Sequence, residues 1–221
     1  MPDTPKFGLF DKYAETKIES RHLPHWFQPG TAVFITLRTA DCLPRPVVIQ
    51  WMTEVQDWLR QSGISIAAGE PLPDADKLPG PLQAAYKKQR DRLWHWHLDS
   101  CHGDCVLRGR EQAEFVMNSL LHFNGSRYDI SSAIIMPNHA HLIAQFYPPT
   151  DCRQQCTSWM HYSAHKINRS LNRSGEFWQS EPFDHLIRSE AQFHYLQDYI
   201  RTNGTDANLP DSDWLFWSCD S

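Results

Sequence analysis

The sequence predicts an α+β fold: a ferredoxin-like antiparallel sheet with helices on one face, plus an inserted helical segment and a C-terminal helix. Three observations predict it. The apolar pattern switches repeatedly between the two-residue period of strands and the 3.6-residue period of helices. Two strand-like runs, 127–136 and 138–147, abut closely enough to pair as neighbours. With the helical stretch at about 46–98 set aside, the order that remains is strand, helix, strand, strand, helix, strand, followed by one more helix. That order is the split βαβ plan of an antiparallel sheet.

The elements follow in chain order. TAVFITLR, 31–38, alternates around Val33, Ile35 and Leu37 and reads as the first strand. Val48, Trp51, Met52, Val55 and Leu59 are at helical spacing over Pro46–Ser62. Pro71, Pro73, Pro79 and Pro81 then break the chain, and a second helix spans Leu82–Leu98. REQAEFVMNSLLHF, 110–123, is a third helix stopped by Asn124–Gly125. After the paired strands a helix covers 153–172, and FDHLIRS, 183–189, reads as a fourth strand. Ser189 with Gln192 makes a capping-box start for a last helix reaching Thr202, with Gly204 just past its end. The whole is expected to form a single domain over 1–221 with its insertion at about 46–98.

Composition narrows the class. The 221 residues, 41% hydrophobic with nine tryptophans, suit a packed globular protein. No run approaches the roughly 20 apolar residues that span a bilayer. The polar N-terminus, MPDTPKFGLFDKYAETKIESRH, lacks the apolar centre of a signal peptide, so a cytoplasmic protein with reduced thiols is expected. Two cysteine pairs have CxxxC spacing, Cys101/Cys105 and Cys152/Cys156; CxxC is the commoner zinc spacing, and zinc is not favoured. The net charge of −5 argues against a protein that coats duplex DNA. Locally the balance reverses: between 151 and 175, Arg153, Lys166, Arg169 and Arg173 face only Asp151. Such a helix can hold a short nucleic-acid segment, although four charges also make an ordinary solvated face.

Chemistry concentrates in IIMPNHAHLIAQF, 134–146. His139 and His141 are two apart in a strand-like run, so both project from one face and can converge on one divalent ion. A second pair, His95 and His97, lies on a helical stretch where such side chains diverge. With 12 histidines in the chain, the spacing alone is weak. In the last helix, SEAQFHYLQDYIRTNG, Phe193, Leu196 and Ile200 form an apolar stripe. Tyr195 and Tyr199 are one turn apart, and Asn203 lies one turn beyond Tyr199. Tyr199 and Asn203 can therefore point together at an ion held by the histidines, or simply pack and hydrate as tyrosines on amphipathic helices do.

Taken in order, MPNHAHLI, SWMHYSAHKINRSLNRSGEFWQSEPFDHLIR and DYIRTNG resemble the REP-associated tyrosine transposases. These are single-tyrosine members of the HUH endonuclease superfamily, named for the histidine–hydrophobic–histidine motif. LDSCHGDCVLRG and FNGSRYDI resemble one branch of that family, and the likeness runs from about residue 30 to 210. The resemblance implies a ferredoxin-like enzyme that cuts and rejoins single-stranded DNA bearing a hairpin, a REP-like palindrome, as a monomer or homodimer. His139 and His141 fall on the family's metal-binding histidines and Tyr199, in YIxxN, on its nucleophile. Asn203 falls where related enzymes place a polar third ligand. The family usually reads Asn-Pro where this chain has Asn203–Gly204, which puts the posture of Asn203 in question.

The implied chemistry is attack by Tyr199 on phosphorus, leaving a 5′-phosphotyrosine and a free 3′-hydroxyl. A phenol with a pKa near 10 is a weak nucleophile at neutral pH, so a divalent metal, Mg²⁺ or Mn²⁺, is expected to assist. Two nitrogen ligands make Mn²⁺ at least as suitable. Lys166, Arg169, Arg173, Arg153 and Arg188 are the expected DNA contacts. Trp178 could stack a base but suits core or turn packing better; Tyr162 competes as a nucleophile without falling on the motif. The alternative is a domesticated, catalytically inactive nucleic-acid-binding protein, which the negative charge and the missing proline favour and the intact His139/His141/Tyr199 set opposes.

Overall fold

Strands with apolar residues at nearly every position, such as AVFITL, AIIM and LIA, need a layer on each face of their sheet. The computed structural model supplies both layers. It describes residues 7–20, 24–67 and 70–220, with the side chains at 19, 20, 24 and 25 outside that description. The first six residues of the polar N-terminus also lie outside it. Among the described residues the elements are β1 (Lys17–Ser20), β2 (Pro24–Phe27), β3 (Ala32–Arg38), α1 (Arg45–Gln61), α2 (Gly80–Asp99), α3 (Arg110–Leu121), β4 (Tyr128–Met136), β5 (His139–Phe146), α4 (Cys152–Ser170), β6 (Phe183–Leu186), α5 (Glu190–Asp206) and β7 (Leu215–Ser218).

β1 and β2 form a separate two-stranded sheet, and the main sheet runs β6-β3-β5-β4-β7, antiparallel throughout. Its first four strands keep the order 4-1-3-2 expected of the ferredoxin-like plan, with β7 added beside β4. Two compact units result: residues up to Ala40 together with those from Cys105 onward, and Asp41–Asp104. No helix among the described residues is long and apolar enough to cross a membrane.

α3 and α4 cover one face. There Val33, Ile35, Leu37, Ala140, Leu142, Ala144 and Phe146 from the sheet meet Val116, Leu120, Cys156, Trp159 and Ile167. Trp178 joins this core, and its indole N–H donates to Ser163 Oγ at 3.0 Å, so it is a packing residue, not an exposed base platform. Cys152 and Cys156 lie buried at the start of α4. The hydrogen bond from Cys156 and the surrounding burial raise the Cys152 thiol, which disfavours the thiolate that a metal would need.

α5 lies on the opposite face. Leu196 and Ile200 pack on Ala32, Phe34, Ile134, Met136, Ile143 and Ile187. Half of the expected capping box forms: Ser189 Oγ accepts from the Gln192 N–H, while the Gln192 side-chain oxygen accepts from the Arg188 N–H, one residue before the cap. The expected end at Thr202 does not hold: the helix continues to Asp206 with Gly204 buried inside it. A Cβ at 204 would meet the Trp214 indole at 2.5 Å, so this glycine marks a close contact within the helix and not its stop.

In the 41–104 unit, α1 and α2 close on Val55, Leu59, Ala75, Leu78 and Tyr86 with Trp51 and Trp58 against them. His97 is buried there with Nε2 at 2.8 Å from a Glu54 carboxylate oxygen, while Trp96 beside it is exposed. His97 is thus an interior histidine held at Nε2 by a carboxylate.

Candidate active site

The site grows from the β4–β5 hairpin. Met136 pairs with His139, leaving Pro137 and Asn138 as a two-residue turn. The turn is clamped by the backbone: Thr39 N–H donates to Asn138 O at 2.9 Å and Leu107 N–H to Pro137 O at 3.0 Å. Beyond it the alternation of β5 sends Ala140, Leu142 and Ala144 into the α3/α4 core. His139, His141 and Ile143 consequently face α5.

Both histidines have no exposed surface. Their ring centroids are 4.6 Å apart with planes at 68°, and their ligand nitrogens lie within 4.8 Å of each other. A buried imidazole needs hydrogen-bonded partners, and each has one at Nδ1. Asn138 Oδ1 is 2.8 Å from His139 Nδ1, and Thr36 Oγ1, directly across β3, is 2.8 Å from His141 Nδ1. The Asn138 amide oxygen, an acceptor, places the His139 proton on Nδ1 and leaves Nε2 as its lone-pair nitrogen. The Thr36 hydroxyl can donate or accept and suits either tautomer of His141. Phe34 stacks on the His141 ring at 5.3 Å and 26°, which holds its plane.

Tyr199 comes from α5. Its hydroxyl is 3.3 Å from His141 Nε2, and the two ring centroids are 5.3 Å apart. One turn later Asn203 is buried, 2% exposed, and its side-chain oxygen has no hydrogen-bond partner among the described residues. An interior amide oxygen left so costs stability unless something else engages it.

Together the residues make a polar cluster under a helix: two buried imidazoles each held at Nδ1, a phenol at hydrogen-bond distance from one of them, and a buried amide oxygen. His139 and His141 could hold a divalent ion through Nε2, each oriented by the partner at Nδ1 in the way metal-binding histidines are. The predicted set is therefore brought together for His139, His141 and Tyr199, with Asn203 on the same buried face of α5.

The predicted DNA contacts are placed otherwise. Lys166, Arg169 and Arg173 belong to α4 or its end and are exposed, on the far side of the sheet from the histidines. Arg153 opens the same helix. Lys166 Nζ stands 5.6 Å from the exposed Tyr162 ring. Arg188 is exposed just after β6, its guanidinium 6.0 Å from the Phe10 ring.

Sequence reasoning passed over Thr36, Asn138 and Arg38. Arg38 ends β3 directly opposite His139, on the face shared by Thr36 and Phe34. The available signal was alternation in TLR, which places Arg38 in phase with Thr36.

No protein-family model and no curated protein matches the chain. Among solved structures it is similar to a REP-associated tyrosine transposase bound to a REP hairpin, at 12% identity over 85% of this chain and 73% of that one, with a TM-score of 0.40.

Proposed function

We propose that the chain is a metal-dependent single-stranded-DNA endonuclease and strand transferase of the REP-associated tyrosine transposase type, acting in the cytoplasm on hairpin-bearing strands. One observation carries the reading: the Tyr199 hydroxyl stands 3.3 Å from Nε2 of one of two buried imidazoles that share a strand face. The motif resemblance supports it independently of the geometry. In this reading residues 1–221 form one HUH-type domain with the 46–98 segment as an insertion.

The donor set fits a divalent cation. His139 and His141 would hold it through Nε2, with Asn203 Oδ1, buried and without a partner among the described residues, as the polar third ligand. Mg²⁺ or Mn²⁺ would supply charge neutralisation on the scissile phosphate. Tyr199 does the covalent work. α5 holds its phenol at the imidazoles, and its oxygen forms a bond to phosphorus as the bond to the 3′-oxygen breaks. The phenol proton leaves to solvent and the departing 3′-oxygen gains one, giving a 5′-phosphotyrosine and a 3′-hydroxyl. Attack by a second 3′-hydroxyl reverses the step, so rejoining needs no outside energy source. The α4 cations Arg153, Lys166, Arg169 and Arg173, together with Arg188, are proposed to hold DNA away from the scissile bond.

The test is incubation of the protein with end-labelled hairpin-bearing single strand and Mn²⁺, resolved under denaturing conditions. A covalent adduct is expected from the native chain, with none from Tyr199→Phe or in excess chelator. An adduct that persists in Tyr199→Phe removes the nucleophile assignment. Strand binding with no adduct under any divalent ion assigns the chain to the inactive binding class instead.

A further inference from the structure

The half of the same sheet face that lies beyond α5 carries an arrangement with no role so far. α5 packs across β4 and β5. On β3 and β6 the register sets what faces outward: Arg38 opposite His139, Thr36 opposite both His141 and Phe183, and Phe34 opposite both Ile143 and His185. Alternation puts all of these on the face of the histidine pair. Rings run without a break from the helix to the sheet edge. The centroid distances are 5.3 Å for Tyr199–His141 and for His141–Phe34, 5.2 Å for Phe34–His185, and 5.8 Å for His185–Phe183. The series ends at Phe183, 37% exposed on the four-residue edge strand β6. At the other end of the strip Arg38 sets a permanent positive charge, half-buried, beside His139.

Phe34, Thr36, His139 and His141 are themselves buried, so a strand can meet the strip only at its accessible ends. We infer that the single strand passes these ends beside the cleavage site, with Arg38 on a non-bridging oxygen of the scissile phosphate and Phe183 stacking an adjoining base. It rests on the function proposed above for its substrate class. The chemistry of the strip selects the occupant. An unpaired strand offers an anion and an open base face in turn, which a guanidinium and an exposed ring can take together. A duplex keeps its bases stacked inside and gives Phe183 nothing to cover. Arg38 presents a fork of N–H donors to a phosphate, which the ammonium of a lysine does not reproduce.

The experiment measures adduct formation in the full chain and in Arg38→Ala, Arg38→Lys, Phe183→Ala and Phe183→Leu, each with its unfolding midpoint. Equilibrium binding of the same labelled strand is measured with Tyr199→Phe added to block turnover. Arg38→Ala is expected to slow adduct formation about 100-fold, with Lys recovering only part of the loss. Its binding penalty should disappear when the scissile phosphate is replaced by a neutral methylphosphonate. Phe183→Ala is expected to weaken binding about tenfold, Leu to restore little, and an abasic site at one flanking position to erase the difference.

Variants that cut and bind like the native chain overturn the inference, as do penalties equal on modified and unmodified strands. If the native chain forms no adduct, the proposed chemistry falls while binding still decides the strip. A preference for single strand over duplex that both variants lose keeps it, and an affinity that neither variant changes discards it.

Discussion

The two faces of the central sheet are built to different rules. Toward α3 and α4 the strands present an almost wholly apolar surface, closed by Trp159, Tyr128 and Phe146. Toward α5 the same strands are apolar around Ala32, Phe34 and Ile143 and along Ile134 and Met136 of β4. At one end of β3 and β5, however, stand Thr36, His139 and His141, all buried. A fold seeking only stability gains nothing by interring two imidazoles, because each needs a partner merely to offset its lost hydration. The polar end is tolerated where Thr36 and Asn138 satisfy it and where the opposite face supplies the burial. One face holds the sheet together, and the other is free to hold a site.

Truncating the stabilising face should therefore give the largest change in stability. Trp159→Ala removes a ring 2% exposed that contacts Tyr128 and Phe146 edge-on or tilted, and it should cost about 3–5 kcal/mol. Urea unfolding followed by tryptophan fluorescence measures it. A loss under about 1 kcal/mol would contradict the division of labour between the faces.

A subtler break on the same face keeps the shape and removes one atom. The Tyr128 hydroxyl donates to Leu120 O at 2.7 Å and accepts the Trp159 indole N–H at 2.9 Å. Tyr128→Phe leaves that N–H buried without an acceptor, at about 1–3 kcal/mol. Combined with Trp159→Phe, which removes the donor too, the penalties should not add. Denaturant midpoints of the two single variants and the double variant decide it.

On the α5 face Gly204→Ala sets two effects against each other. Alanine gains about 1 kcal/mol over glycine inside a helix. Here its Cβ would fall 2.5 Å from the Trp214 ring, whose rigid atoms cannot yield as a flexible chain end would. Overpacking at about 1–3 kcal/mol should win, so a net destabilisation of about 1 kcal/mol is expected in thermal or urea unfolding. A stabilised variant would show that the indole can move aside.

Gly204 also shows where sequence reading runs out. A glycine near the end of an apolar period reads as a stop, and only the later Trp214 reveals it as a contact. The βαββαβ core was legible because each element declares itself locally, through alternation in TAVFITLR, the Ser189 cap and the Asn124–Gly125 stop. β7 was not, since LFWS is short and gains its strand character only by pairing with β4, 80 or more residues earlier. The β1–β2 pair was missed for the same shortness. Within the site, the spacing of His139 and His141 on one strand was visible but weak by itself, and Tyr199 was singled out by the family resemblance rather than by its spacing. Thr36 and Arg38 were not legible, because their roles depend on a strand register joining residues about 100 positions apart. The α4 cations show the converse: their helix was evident, but which face of the sheet it covers was not.

A stability change as small as that at Gly204 is expected at Thr36, where the two faces meet in one strand. Val33, Ile35 and Leu37 point into the apolar core while Thr36, between the last two, turns its hydroxyl to His141 Nδ1 at 2.8 Å. Thr36→Val keeps the shape and the β-branch and removes only the hydroxyl. The loss of one buried hydrogen bond should cost about 1 kcal/mol in unfolding. If the imidazole is a ligand, the effect on function is larger: a ring no longer held at Nδ1 should bind Mn²⁺ about 10- to 100-fold more weakly. Thr36→Ser, which retains the oxygen, should recover most of it. Mn²⁺ titration by calorimetry beside urea unfolding separates the outcomes. A metal affinity that falls only as far as stability falls would make Thr36 a packing residue. A disproportionate fall, restored by serine, would show that the buried hydroxyl is there to aim the ring.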